Sequence, residues 1–392
     1  MEYCPEVAIL LATYNGEKYL EEQLDSLLSQ KTSKRRLTVP QNHNGPEEGV
    51  EGAGLEKDSS KMLEYKIYIH DDGSVDNTVA IIHSYAEKYP DKISLIEGPP
   101  TGSAKNNFFY LIREVSRSSE TLKASQRAQN DKRTREIQET QGTWIDHENQ
   151  GAQNRNTPRY YFFCDQDDVW LEDKLQVELA ALKQIEKNES NRVTPSLVWC
   201  DMKVVDDQLN EISQSFSSYS HLTPDELDID RCIMHGKAAG CSMACNAQLI
   251  SLCCEIQETE KIIMHDWALF LIARIAGRLK YIDKPLALYR QHDRNSLGAT
   301  NEGKLQMVAG IIGRLVSMRQ LRATQANLKR YIAQVASLQQ VKDVYRSQQE
   351  LIDGANEFMR MNRIDKLRFV NRFKLYRHRG SKLWSAIAAF LI

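Results

Sequence analysis

The chain has 392 residues, 41% of them apolar, enough for one large domain or a domain with an appendage. Its net charge of −2 hides an asymmetry: from Arg360 to the end there are nine Lys/Arg against a single acid, Asp365, so the rest of the chain is acidic. No run of about 18 apolar residues is present, which excludes a membrane-spanning helix, and no aromatic platform or reading motif accompanies the basic tail, which argues against nucleic acid.

The N-terminus enters a strand at once, so no signal peptide is expected. The eight cysteines follow no disulfide framework and read as reduced core residues of a cytosolic protein. Cys241 and Cys245 have zinc-like spacing, but no His/Cys pair follows at finger distance.

In chain order, Val7–Ala12 is a continuous apolar run, the signature of a central parallel strand. Thr13-Tyr14-Asn15-Gly16 breaks it, and a helix follows from about Glu17 with Leu20, Leu24, Leu27 and Leu28 on one face. Such a turn offers backbone N–H groups and short side chains to a ligand, or is an ordinary strand-to-helix loop. Lys31 to Leu63 is polar and aperiodic and reads as a surface insertion. Tyr65–His70 is the next strand, ending in Asp71-Asp72-Gly73-Ser74. One acid there is explained by capping the helix holding Val79 and Ile82; a second suits a base N–H or ribose hydroxyls. Ile93–Ile96 is a third strand, and Gly102 to Val115 is loop plus helix with Asn106, Asn107 and Phe108 near its start. Ser116 to Pro158 is a second polar insertion.

Tyr160–Cys164 is aromatic and apolar, a strand buried on both faces, and it ends in three carboxylates, Asp165, Asp167 and Asp168, within four residues. Clustered acids at the end of a buried strand are costly unless a cation neutralises them. Mg²⁺ or Mn²⁺ on Asp165 and Asp167, holding a diphosphate, answers that cost; a solvated acidic turn capping the next helix is the plainer alternative. A helix to about Lys187, a strand from Leu197 through Asp201, the turn Asp206–Asn210 and a loop-rich segment from Ser213 to Ile233 over the crevice follow. Gly240–Asn246 carries small residues where something must approach closely, and His265-Asp266-Trp267 opens an apolar helix. Leu279–Ile282 and Leu286–Tyr289 read as two short strands, followed by Arg290-Gln291-His292 and a loop with Asn295, Ser296 and Gly298. Leu305 to Ile352 has helical spacing. Strand–helix alternation predicts a mostly parallel, doubly wound sheet.

The ordered set Thr13-Tyr-Asn-Gly16, Asp71-Asp-Gly-Ser74, Cys164-Asp-Gln-Asp-Asp-Val-Trp170, Gly240-Cys241, His265-Asp-Trp267 and Tyr289-Arg-Gln-His292 resembles the family 2 glycosyltransferases of GT-A fold, in particular the rhamnosyltransferase-like members that build bacterial surface polysaccharide. The resemblance covers roughly residues 5 to 300 outside the insertions. It implies a GT-A, Rossmann-like α/β domain over 1–300 with insertions at about 31–63 and 116–158, then a helical region with a basic amphipathic tail over 301–392. It implies a nucleotide-binding set of Thr13, Tyr14, Asn15, Asp71, Asp72, Asn106, Asn107 and Asp165, and a metal site of Asp165, Asp167 and His292 for Mn²⁺ or Mg²⁺. Asp266 is implied as general base, with Trp170, Asp201, Gly240, Cys241, His265, Trp267 and Arg290 around the acceptor or substrate. The partners implied are a dTDP- or UDP-sugar and a glycan or lipid-linked acceptor.

Two other functions remain open on residues alone. A sugar-nucleotide pyrophosphorylase should carry a Gly-rich basic loop where Thr13–Glu17 stands, and a non-catalytic nucleotide-sugar-binding protein would need Asp266 and the paired acids to be dispensable. The tail, with Leu367, Phe369, Val370, Phe373, Leu375 and Tyr376 among its cations and Trp384 and Ile387–Ile392 as an apolar end, reads either as a docked helix or as an interfacial segment on an anionic membrane at the cytoplasmic leaflet.

Overall fold

The computed structural model describes residues 6–32, 62–117, 158–187, 193–292, 318–376 and 382–392. Most of both polar insertions, the loop at Asn295, Ser296 and Gly298, and the helical pattern from Leu305 to 317 lie outside these residues.

The N-terminal half alternates strand and helix: β1 (Val7–Thr13), α1 (Leu20–Leu28), β2 (Tyr65–Asp71), α2 (Thr78–Lys88), β3 (Ile93–Leu95), α3 (104–117) and β4 (Tyr160–Cys164). The strands lie in the order β3-β2-β1-β4, all parallel. The apolar run of β1 is continuous because both of its faces are covered. Val7, Ile9 and Leu11 join Leu20, Leu24 and Leu27 of α1 in one core, while Ala8 and Leu10 join Phe108, Leu111 and Ile112 of α3 in the other. Thr13 is in register with Asp71, and Leu11 with Cys164, so the loops after β1, β2 and β4 emerge together at one edge.

The second half is mixed. β5 (Val169–Trp170), α4 (Lys174–Ile185), β6 (Ser196–Val205), β7 (Glu211–Ser213), α5 (Phe216–Tyr219), α6 (Ile229–Met234), β8 (Met243–Asn246), α7 (Ala247–Cys253), α8 (His265–Ala276) and β9 (Arg278–Arg290) complete the sheet in the order β3-β2-β1-β4-β8-β6-β9-β5, with β7 on β6. Of these pairings only β6–β9 is parallel; β8 runs antiparallel between β4 and β6, and β5 antiparallel to β9. The two strands expected at Leu279–Ile282 and Leu286–Tyr289 are one strand. Pro285 has no N–H to give the ladder, and the register with β6 shifts beside it at Asp201 without ending the strand.

Helices Met318–Ser337, Lys342–Ser347, Gln349–Glu357, Arg363–Arg372 and Lys382–Leu391 follow. Leu328, Ile332, Val335, Ile352, Phe358, Phe369, Val370, Ala388 and Ala389 belong to the same core cluster as α3 and α8. Three tail arginines are paired with acids of these helices: Arg360 with Glu357, Arg368 with Asp365, and Arg372 with Glu350. The apolar tail residues expected at a lipid headgroup boundary are therefore largely spent on packing. Removing 360–392 would take Phe369, Val370 and Leu375 out of the core, so deletion is the wrong test of a surface role.

Behind the crevice, Lys174 and Glu178 are fully buried and meet at 2.5 Å, with the ammonium 3.4 Å from Cys200 Sγ and 4.9 Å from the Trp170 ring centroid. Lys174→Met strands the Glu178 carboxylate, and a loss of about 3–5 kcal/mol is expected in urea unfolding. Adding Glu178→Leu should recover most of it, because the paired charges have already lost their hydration.

Candidate active site

The loop after β1 is laced to the loop after β2. Asn15, at φ 47°, takes the left-handed conformation that asparagine tolerates. Its N–H donates to Ser74 Oγ (2.8 Å) and its Oδ1 accepts from Val75 N (2.9 Å), while Gly16 N donates to Thr78 Oγ1 (2.8 Å). Asp71 accepts from Thr13 Oγ1 (2.9 Å), Ser74 Oγ (2.6 Å), Gly73 N (3.0 Å) and Ser74 N (2.7 Å), so both of its oxygens are already engaged in this turn. Asp72 holds the next loop, accepting from Thr101 N and, at 2.8 and 3.1 Å, from Thr101 Oγ1 and Gly102 N. Tyr14 stands out from this framework with 56% of its surface exposed.

The third loop carries the acids. Gln166, unremarked in the sequence, fastens it to the first: Tyr14 N donates to Gln166 Oε1 (2.8 Å) and Gln166 Nε2 donates to Tyr14 O (2.9 Å). A Cβ on Gly16 would stand 2.3 Å from the same amide, so glycine is required for that closure. Asp165 and Asp168 converge with Cys241, one ligand atom of each lying within 4.8 Å of the others. Burial raises the Asp165 carboxyl pKa well above the usual carboxylate range, and the charges of Asp168, Asp167 and Asp266 add to the rise. Asp168 is pushed up to about 7 by burial and then by Asp167; its Oδ1 accepts from Arg290 N (3.1 Å), and its Oδ2 is buried with no protein partner. Asp167 meets His292, Oδ2 to Nε2, at 2.9 Å.

These groups fit a hard divalent cation. Among the described residues, the side chains that gather as a possible ligand group are Asp165, Asp168 and Cys241; Asp167 and His292, expected beside Asp165, instead pair with each other at hydrogen-bond distance, 2.9 Å. The buried, unpartnered Asp168 oxygen and the mutually opposed carboxylates mark an electrostatic deficit that such a cation removes.

Asp266 lies in the first turn of α8, half-buried. Burial pushes its carboxyl up to about 6, against the opposing N–H groups of Trp267 and Gly240. His265 beside it is buried, stacked on Phe108 at 4.0 Å, and held down to about 3 by burial, so it is neutral throughout the working range. The close approach expected at Gly240 is made by this histidine: a Cβ there would lie 2.9 Å from His265 Nε2.

Residues 8–109 match the model of the Glycosyl transferase family 2. That segment, about a quarter of the chain, is similar to the family 2 glycosyltransferases. Among curated proteins, the dTDP-rhamnosyl transferase RfbG of Shigella flexneri is 24% identical over 296 residues, 74% of each chain. Among solved structures, S. aureus TarS 1-349 in complex with UDP-GlcNAc is 14% identical at a TM-score of 0.44, covering 98% of this chain and 89% of that one. The chain spans 55% of the longer TarS structure, at a TM-score of 0.44 and 14% identity. The mannosyltransferase PcManGT from Pyrobaculum calidifontis, in complex with GDP-Man and Mn²⁺, is 12% identical at 0.41, covering 99% and 85%. The family match and the curated relative support a glycosyltransferase with a GT-A-type α/β fold.

Several residues expected at the substrate are buried or already bonded within the protein. Trp170 is 2% exposed and packs on Phe162. Asn107 is 1% exposed and ties His70 to the backbone of β1. Asp201 accepts from Ser215 Oγ (2.5 Å), Ser217 Oγ (3.1 Å) and Ser217 N (3.1 Å), so it anchors the start of α5. Cys241 and His265 are buried, and Trp267 Nε1 donates to Cys232 O (2.7 Å). Asn106 links Thr101 to Thr259. Arg290 is 1% exposed; its Nε donates to Asp167 O (2.8 Å), its Nη1 to Asp207 O (2.6 Å), and its Nη2 pairs with Glu22. The sequence cannot separate a residue facing a ligand from one that holds the facing residue, because both stand in the same motif.

Proposed function

We propose that the protein transfers a sugar, rhamnose foremost, from a nucleoside-diphosphate donor to a hydroxyl of a glycan or lipid-linked acceptor, by single displacement with inversion. The observation that carries the reading is Asp266: a half-buried carboxylate with its pKa pushed up to about 6, close enough to the Asp165 cluster for their charges to interact. A base of that strength holds its proton weakly enough to be ionised at neutral pH and strongly enough to accept one from a sugar hydroxyl. In this reading Tyr14 covers the nucleotide, and Asp165, Asp167 and His292 hold Mn²⁺ or Mg²⁺. When bound, that cation offsets the charge growing on the departing diphosphate. One base on the face opposite the leaving group gives inversion. The dTDP-rhamnosyl activity named for the Shigella relative supports dTDP-rhamnose as first donor. The test is a panel of nucleotide sugars with MnCl₂, scoring which nucleoside diphosphate is released. Release from dTDP-rhamnose is expected; no release from any donor, with or without acceptor glycans, refutes transfer chemistry at this site.

A lipid surface remains the partner proposed for the C-terminal helices, on a smaller patch than the sequence suggested. Ile364 (58%), Phe390 (40%) and Leu391 (48%) stay exposed, and Arg363 lies over the Phe390 ring at 5.6 Å. No helix among the described residues is long and apolar enough to cross a membrane, so contact would be peripheral, with the cation near lipid phosphates adding about 1 kcal/mol. Phe390→Ser with Leu391→Ser is expected to abolish salt-sensitive sedimentation with phosphatidylglycerol vesicles while the melting temperature holds. Equal sedimentation of parent and variant removes the membrane from this reading.

A further inference from the structure

We infer that Tyr19 is a positioning residue of the donor site, acting through His292. The inference rests on the proposed role of Asp167 and His292 as cation ligands. The Tyr19 ring contacts two groups at and just after the end of β9. The Arg290 guanidinium carbon stands 4.4 Å from its centroid, and the His292 imidazole stacks on it at 5.1 Å and 28°. The guanidinium is fixed independently, by the main-chain oxygens of Asp167 and Asp207 and by Glu22. Tyr19 therefore links a fixed group to the side chain that meets the Asp167 carboxylate at 2.9 Å.

The physical need is plain. His292 lies two residues past the end of β9, outside the hydrogen-bonded ladder, and the orientation of an imidazole there is set by its side-chain torsions. Stacking on an aromatic face removes one of them and is worth more where the ring is itself pinned by a cation. Ligand geometry held to a few tenths of an ångström governs metal affinity, and groups that orient a ligand typically change it 10–100-fold when lost. Lys18 contributes to the same arrangement, its ammonium 4.7 Å from the ring and 2.9 Å from Asp207.

The experiment measures Mn²⁺ bound by the full chain in the presence of thymidine diphosphate, counting free Mn²⁺ by electron paramagnetic resonance. Tyr19→Leu is expected to weaken Mn²⁺ binding about tenfold, while Tyr19→Phe, which keeps the stacked ring, stays within about twofold. In a His292→Ala background, Tyr19→Leu should have no further effect. Tyr19 is only half-buried, so both variants should melt with the parent. Full Mn²⁺ affinity in Tyr19→Leu, or an additive loss in the His292→Ala background, overturns the inference while leaving the cation site standing. No Mn²⁺ binding by the parent itself overturns both.

Discussion

Asp266→Asn is expected to lower sugar transfer by ~10²–10⁴-fold while donor affinity stays within about twofold. The amide has nearly the shape of the acid and can still accept from Trp267 N, which stands 2.6 Å from Oδ1 in the parent. What it loses is the basicity that takes the acceptor proton in the proposed mechanism. Isothermal calorimetry for the donor and product assay for transfer separate the two effects; turnover near the parent's would place the base elsewhere. The pH profile carries the same information. Burial holds the Asp266 carboxyl up to about 6, so kcat/KM should rise with pH through about 6 and level above it. His265 cannot supply that limb, since burial holds it down to about 3. Stability runs the opposite way. A carboxyl whose pKa is higher folded than unfolded stabilises the fold at low pH and loses that contribution as pH rises through the interval to about 6. Asp266→Asn should therefore melt no lower than the parent at pH 8, which sets it apart from a variant that fails by unfolding.

The parallel half of the sheet was legible because its strands are buried on both faces and read as continuous apolar runs bounded by turn formers. Register then follows, and it brings Thr13, Asp71 and Asp165 to one edge. The second half was less legible for physical reasons that particular residues show. β8 is four residues, Met-Ala-Cys-Asn, all buried, with no alternation to announce it. β5 is a two-residue strand at the end of the acid turn, just ahead of what reads as a helix, and is too short to announce itself. Pro285 looked like a break between strands, and the sheet instead absorbs it as a register shift. At the site, the sequence singles out residue types suited to chemistry but says nothing of exposure. Asp201, Arg290 and Trp170 have suitable types and turn out to be held inside, while Gln166, an amide between two conspicuous acids, joins the loop after β1 to the acid loop. The available signal for Gln166 was Gly16, whose missing side chain leaves room for it.

Asp167→Ala is expected to remove Mn²⁺-dependent binding of thymidine diphosphate, by at least about a hundredfold. The loop itself should survive the change. Arg290 holds it through the main-chain oxygen of Asp167 and through Asp168 Oδ1, and neither contact uses the Asp167 side chain. The loss then falls on the carboxylate that meets His292. Titrating dTDP into protein with and without MnCl₂ isolates the metal-dependent part of the affinity. The structure also sets out the competing arrangement, a cation held by Asp165, Asp168 and Cys241, whose ligand atoms already lie within 4.8 Å of one another. The two arrangements make opposite demands. If Asp167 and His292 hold the ion, Asp167→Ala abolishes the Mn²⁺ dependence, and Cys241→Ser, a change within the buried cluster, leaves most of it. If the buried cluster holds the ion, Cys241→Ser trades a soft thiolate ligand for a weak hydroxyl and takes the larger loss, while Asp167→Ala keeps near-parental affinity. Near-parental affinity in both variants would mean that neither set binds the ion. In that case the opposed carboxylates are relieved by protonation of Asp168, whose pKa of about 7 already allows it near neutral pH.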